Sequence, residues 1–441
     1  MACHFLGLSR EQSFIATVFS CSILGTLFFW DFRLSFVFIG SGILFLTHSV
    51  DLEHFIKYAS LDVILFLIGM MIIVGMMKDT GVFHWLVGEI IRIKGLNGLK
   101  LFAILMIVSA VMSALMGEVA SIMVMMVIIF DISKHLKVRS VPLVISSVLT
   151  TNIGSASTIL GNPIGVLIAL RGGLSFEDFL TRALPLSVTI LTITIALLVV
   201  WYRSYIKELS LALAATGEVN SASYPVSMDA KTRNSIIIFA ITLACIALHR
   251  RLETILGIPE NNLLIILPVI FAGIVLAYRH DKARYYIEHE VEWMSLLFFL
   301  FLFAQAGVTQ ASGLAQALAE KLVHSTGTNP AILSGTIIFS TGILSSILDN
   351  AVVVASFIPM VNSLQSLDIS LKPLWWCLLF GACYGGNITV IGSTANIIAL
   401  GILERESKIT VHFLEWLKIG LIVGVTSMII SYLIVILVPN F

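Results

Sequence analysis

Two carboxylates stand deep inside apolar sequence. Asp349, in "SILDNAVVVASFIPMV" (346–361), follows eighteen uncharged residues, Ala331 to Leu348. Glu118, in "SALMGEVASIMVMM" (113–126), is the one charge between Leu101 and Phe130. A carboxylate near the centre of a bilayer costs at least about 2.5 to 3.5 kcal/mol on insertion scales, so such groups are buried, paired and functional as a rule. At the start of a half-helix the helix dipole stabilises the charge. A group so placed binds a bare cation directly, or carries a proton when desolvation holds it neutral.

Two clusters of small and polar residues lie near these carboxylates in sequence. The first, "TTNIGSASTILGNPIG" (150–165), contains Asn152, Thr158, Gly161 and Asn162. The second, "YGGNITVIGSTANIIA" (384–399), contains Asn387, Thr389, Gly392, Ser393, Thr394 and Asn396. Gly and Pro break a helix and free carbonyls and amides, while hydroxyl and amide side chains are neutral oxygen ligands for a cation or a small polar solute. The competing reading is that Gly, Ser and Thr permit close helix packing. With Gly117, Glu118, Asp349 and Asn350, these residues are the candidate substrate and ion site, and Asp349, Asn350 and Asn396 are the candidates for Na⁺. No catalytic set accompanies them. The chain has no HExxH, GxSxG or Walker loop, so neither an enzyme nor an ATP-driven pump has a supporting motif.

The elements that must hold these groups follow from composition. The 441 residues are 58% apolar and 12% charged, and the mean hydropathy is +1.01. Long uncharged runs recur throughout, which identifies an all-α polytopic membrane protein whose first partner is the lipid bilayer. Basic and acidic residues balance at 26 each, so nothing points to nucleic acid. Ten apolar segments are read as crossings: 13–30, 33–47, 61–77, 141–171, 182–202, 233–249, 262–278, 292–308, 373–404 and 413–437. The stretches around Glu118 and Asp349 do not fit that count. The first would span about 45 Å as one helix, against a hydrocarbon core of about 30 Å. Both are read as re-entrant helical hairpins with tips at Gly117-Glu118-Val119 and Asp349-Asn350-Ala351. Irregular backbone at that depth survives only inside protein or beside a wet cavity. The segment "HEVEW" (289–293) is read as a plain membrane entry with Trp293 at headgroup level.

The hairpins belong to an internal repeat. Gly81 and Gly313, Ser113 and Ser345, and Gly117-Glu118 and Asp349-Asn350 all match at an offset of 232, and "STILGNP" (157–163) falls on "ITVIGST" (388–394) at 231. Residues 1–203 and 233–441 then each hold five crossings, an amphipathic arm (79–94, 310–325), a hairpin and a broken helix. An odd number of crossings puts the halves in opposite orientations, as in many secondary transporters. This topology places 18 Lys/Arg on the face of the 204–232 linker and eight on the other. The linker is therefore expected to be a cytoplasmic tether, with both termini external.

The pair "SxxLDNxxxxxxxxP" and "TxIGxxxN" resembles the ion transporter superfamily, in particular its arsenite permeases, D-type sodium/proton antiporters, the pigmentation P protein and the relatives of citrate carriers. The similarity runs from "DVILFLIGMMIIVGMMKDTGVF" (62–83) through "EVEWMSLLFFLFLF" (290–303) to the last broken helix. It implies a transport domain of two hairpins and two broken helices, a scaffold of the other helices, a homodimer, and coupling to Na⁺ or H⁺ with no tightly bound cofactor. The chain departs from the group at its first tip, where Gly117-Glu118 stands in place of Asp-Asn, and at Val127, the counterpart of Pro359. The expected function is secondary active transport, coupled to a cation or proton, of a small inorganic ion or polar solute across the cell membrane. Na⁺/H⁺ antiport and passage of arsenite, another oxyanion or a carboxylate both fit. An ion channel is the alternative from another class.

Overall fold

The computed structural model describes residues 8–91, 95–216, 228–367, 369–438 and 441. The chain is a multi-pass integral membrane protein. Its described residues are helices joined by turns, with no strand among them. In order these are α1 Arg10–Phe28, α2 Arg33–Leu46, α3 Leu52–Tyr58, α4 Leu61–Asp79, α5 Val82–Ile91, α6 Gly98–Met116, α7 Glu118–Leu136, α8 Val141–Ser155, α9 Pro163–Gly172, α10 Phe176–Trp201 and α11 Arg203–Thr216. Then follow α12 Ala230–Ala247, α13 His249–Leu256, α14 Asn262–Tyr278, α15 Trp293–Ala311, α16 Leu314–Thr326, α17 Pro330–Ser345, α18 Asn350–Ser363, α19 Lys372–Gly385, α20 Thr394–Ser407 and α21 Phe413–Leu437. Among the described residues nine helices are long and apolar enough to cross a membrane. Helices dominate because a bilayer supplies no water to satisfy backbone groups, and a helix satisfies them internally.

The second half repeats the element order of the first. α4 and α15 begin and end at an offset of 232, and α6 and α17 begin at the same offset. Packing repeats too: α6 lies against α8 as α17 lies against α19. Across the halves the exchange is reciprocal, with α9 on α18 and α20 on α7. α2 meets α15 and α4 meets α14, so a scaffold of α1–α4 and α12–α15 forms beside the bundle of hairpins and broken helices.

Both long apolar stretches fold back on themselves. Ser121 Oγ donates to Ser109 O at 3.2 Å, although twelve residues of continuous helix would separate them by about 18 Å. The reversal is made by one residue, Gly117, at φ 90° and ψ 154°, a conformation that only glycine adopts without strain. Glu118 is thus the first residue of α7 rather than part of a longer loop. The second reversal takes four residues, Ser346 to Asp349, and Asp349 is the N-cap of α18.

The 204–232 stretch departs from a plain tether. Its beginning is α11, which packs on α6 and α7: Ser210 Oγ accepts from Gly98 N at 3.0 Å, and Tyr205 Oη donates to Arg139 O at 2.6 Å. The spacing of Tyr205, Ile206, Leu209 and Leu213, all buried, gives this polar-rich segment an apolar stripe that docks it. The middle of the linker, 217–227, lies outside the described residues, as do Arg92 and Lys94 of the basic-residue count.

Candidate functional site

The two acidic tips sit at helix N-termini, where unpaired N–H groups and the helix dipole favour negative charge. Asp349 is fully engaged: Oδ1 accepts from Ala351 N at 2.9 Å, and Oδ2 accepts from Thr394 Oγ1 at 2.6 Å. Glu118 is buried at 7% exposure, and its Oε2 has no hydrogen-bond partner. Beside Asp349, the Asn350 carboxamide lies among Ser345 Oγ (2.6 Å), Gly392 O (2.8 Å) and Ala382 O (3.1 Å); two of these only accept, so its nitrogen faces them. That amide ties the second hairpin to the second broken helix.

The broken helices form the centre of the bundle. α8 is buried from Pro142 to Ser155 and α19 from Leu374 to Gly385, so their polar residues must find partners within the protein. They do so in a repeat-related pattern. Thr158 Oγ1 donates to Ala114 O at the end of α6, and Thr389 Oγ1 donates to Ser346 O after α17. Each threonine clamps the hairpin of its own half. Asn162 caps α9 by accepting from Gly165 N (2.6 Å), and Ser393 caps α20 by accepting from Ala395 N (3.2 Å). Asn162 Nδ2 also reaches Cys383 Sγ (3.1 Å), while Ser393 Oγ reaches Asn152 Oδ1 (3.2 Å). Cys383 and Asn152 are themselves counterparts at 231, so the halves interlock twice by the same rule.

Asn152 is the knot of this network. Its Nδ2 donates to Asn387 Oδ1 (2.8 Å) and Asn396 Oδ1 (2.9 Å). Asn396 Nδ2 then donates to Gly386 O and Thr389 O, both at 2.8 Å, and Trp416 Nε1 donates to Asn387 O at 3.1 Å. The carbonyls freed by the helix break are therefore largely satisfied by side chains. Close packing accounts for the small residues here: a Cβ at Gly154 would come within 2.1 Å of Ala110 O, and one at Gly161 within 2.1 Å of Ser155 O.

A cavity of about 120 Å³ separates the tips from the scaffold. Of the candidate site residues, Gly117, Glu118, Asn162, Asp349, Asn350 and Thr394 line it. Asn152, Thr158, Gly161, Asn387, Thr389, Gly392, Ser393 and Asn396 do not; they brace the residues that do. The Na⁺ set divides accordingly, since Asn396 is fully buried and its amide is spent on the α19–α20 turn, whereas Asp349 and Asn350 face the cavity.

The remaining wall holds charges that the sequence reading assigned to plain membrane entry. Glu290 and Glu292, just before α15, line the cavity with Ser295, and Lys78 lines it from the end of α4. Lys78 Nζ binds Glu290 through both oxygens, at 3.1 and 3.3 Å. Glu292 accepts from Ser295 Oγ (3.3 Å), which in turn accepts from Arg33 Nη2 (3.2 Å). A usable signal was present: the positions matching Glu290 and Glu292 at 232 are Tyr58 and Ser60, so the acids are an addition to one half alone. Phe66, Met70, Val74 and Phe299 complete an apolar wall beside the carboxylates.

Comparison with known proteins agrees with this architecture. The model of the CitMHS family, described as citrate transporter, matches residues 23–381 and again 306–440. An uncharacterized transporter of Mycobacterium tuberculosis strain H37Rv is 30% identical over 377 residues, covering 83% of each chain. The human P protein is 25% identical over 451 residues, covering 86% of this chain and 53% of that one. Among solved structures, the YdaH transporter of Alcanivorax borkumensis superposes with a TM-score of 0.60 at 15% identity, over 90% of this chain and 88% of that one, and shares the fold. The family, the mycobacterial relative and YdaH are transporters, not enzymes, and the chain belongs to the CitMHS citrate transporter family.

Proposed function

We propose that the chain is a secondary active transporter coupled to Na⁺ or H⁺, with the cation held at the hairpin tips by Glu118 and Asp349. One observation carries this reading: four carboxylates, Glu118, Glu290, Glu292 and Asp349, line a single cavity against one lysine. A confined space with that balance attracts cations and repels free anions. The unpartnered Glu118 Oε2 supplies a ligand atom, while the donors on Asp349 hold its carboxylate in place. The cargo is then the cation itself, in Na⁺/H⁺ antiport, or a small solute that enters neutral or with its countercharge, such as arsenous acid or an acid of the oxyanion or carboxylate class. The same reading takes the halves as inverted repeats, with residues 204–232 cytoplasmic and two copies forming a homodimer.

Flux into liposomes under imposed Na⁺ and H⁺ gradients tests it, with Na⁺, Li⁺, arsenite, phosphate, sulfate and citrate as cargo. Asp349→Asn is expected to abolish coupled flux while the protein stays folded, because the amide keeps the volume and removes the charge. Transport at the parent rate with an unchanged ion requirement would overturn the cation site. Single-channel current in place of saturable counterflow would mark a pore.

A further inference from the structure

The cavity at the tips has a counterpart of about 210 Å³ elsewhere in the molecule, built from matching positions. Lys78, Glu290 and Glu292 line the first; Gln310, Tyr58 and Ser60, their matches at 232, occur together along the second. The second also carries Lys57 and Arg171, and no carboxylate among its described lining residues. One architecture was thus built twice and made acidic once, and the acidic copy also received Lys78.

The geometry of that lysine is specific. Its side chain is 45% exposed while that of Glu290 is 10% exposed, so the ammonium occupies the wetter end of the pair and the carboxylate the drier. Glu290 cannot follow it outward, since its Cβ and Cγ are seated against Gly75, one turn before Lys78, where an added Cβ would come within 2.7 Å. Arg33 hydrogen-bonds Ser295 at the edge of the cluster and is absent from the cavity's lining. Among the described residues Lys78 is the one cation lining the cavity, and it carries the same charge as the ion the cavity is read to accept.

We infer that Lys78 is a tethered counter-cation, a specificity-determining residue that occupies Glu290 and competes electrostatically with a monovalent cation for the acidic cavity. The inference rests on the cation-site reading above. Loss of Glu290 leaves one carboxylate fewer against the same lysine; loss of Lys78 leaves all four carboxylates to the ion. One unit charge at about 10 Å in a medium of effective dielectric about 20 changes a cation affinity roughly tenfold.

The test is the half-saturating Na⁺ or H⁺ concentration of transport in liposomes containing the full-length protein. Lys78→Met is expected to lower it about tenfold and Glu290→Gln to raise it about tenfold, with the double variant returning near the parent. Lys78→Arg, which keeps the charge, is expected to rescue the parent value and shows that the position tolerates substitution. A pair that merely fastened α4 to the chain before α15 would move both single variants the same way and leave the double no better. That result, or no shift in either, overturns the inference. Asp349→Asn separates the two failures: if it too keeps the parent ion requirement, the cation-site reading has fallen; if it abolishes coupling, only the role of Lys78 has.

Discussion

Glu118 and Asp349 are both acidic tip residues, yet their environments give them different burdens. Asp349 accepts from Ala351 N and Thr394 Oγ1, so its charge also builds the α18 cap. Glu118 Oε2 accepts from nothing, although the side chain is only 7% exposed. Glu118→Gln should therefore hold or raise the thermal midpoint while altering the ion requirement of transport. A fall of several degrees would show that the carboxylate serves the fold. Asn152→Ala is expected to do the reverse. It strips partners from Asn387, Asn396 and Ser393 at full burial and should cost about 2 to 3 kcal/mol in unfolding free energy, read by denaturation in detergent.

Each broken helix grips the hairpin of its own half through a threonine, beside the Ser109–Ser147 contact in the first half and the Asn350 amide in the second. Thr158→Val or Thr389→Val leaves Ala114 O or Ser346 O without its buried donor, a loss of about 1 to 2 kcal/mol each. The two clamps share no partner, so the double variant should lose the sum. Hydrogen exchange should accelerate at residues 110–121 in the first variant and 342–353 in the second, and uniform acceleration would refute local clamping. The hairpins and broken helices were legible in the sequence because their signals are local: a helix too long for the bilayer, a Gly at the turn, Gly and Pro where a helix must break. Docking of α11 and the acidic wall were not, since both depend on which distant element lies opposite. "HEVEW" reads as an ordinary membrane entry until α4 brings Lys78 against it. The polar residues of the broken helices stand where the helices break, and what they do there depends on partners from other elements. Their spacing shows that carbonyls are freed, not that Asn162, Asn350 and Asn396 already satisfy them.

Across the whole molecule, the relation between halves is reciprocal: α9 meets α18 and α20 meets α7, with each member the counterpart of the other pair's member. Such an exchange is the mark of a two-fold arrangement, in which one patch and its match contact each other once in each sense. If each half crosses the bilayer five times, that axis must lie in the membrane plane, and counterparts must face opposite sides. Lys134 near the end of α7 and Ser366 after α18 stand at an offset of 232, and both are exposed. In a background lacking the five native cysteines, Ser366→Cys should react with an impermeant maleimide on intact cells, and Lys134→Cys only after permeabilisation. This follows because Lys134 belongs to the Lys/Arg-rich face that the positive-inside rule makes cytoplasmic. The opposite labelling would keep the inverted halves and reverse the molecule in its membrane. Labelling of both from one side would place the counterparts on the same face, and the inverted repeat, with the odd crossing count on which it rests, would have to be given up.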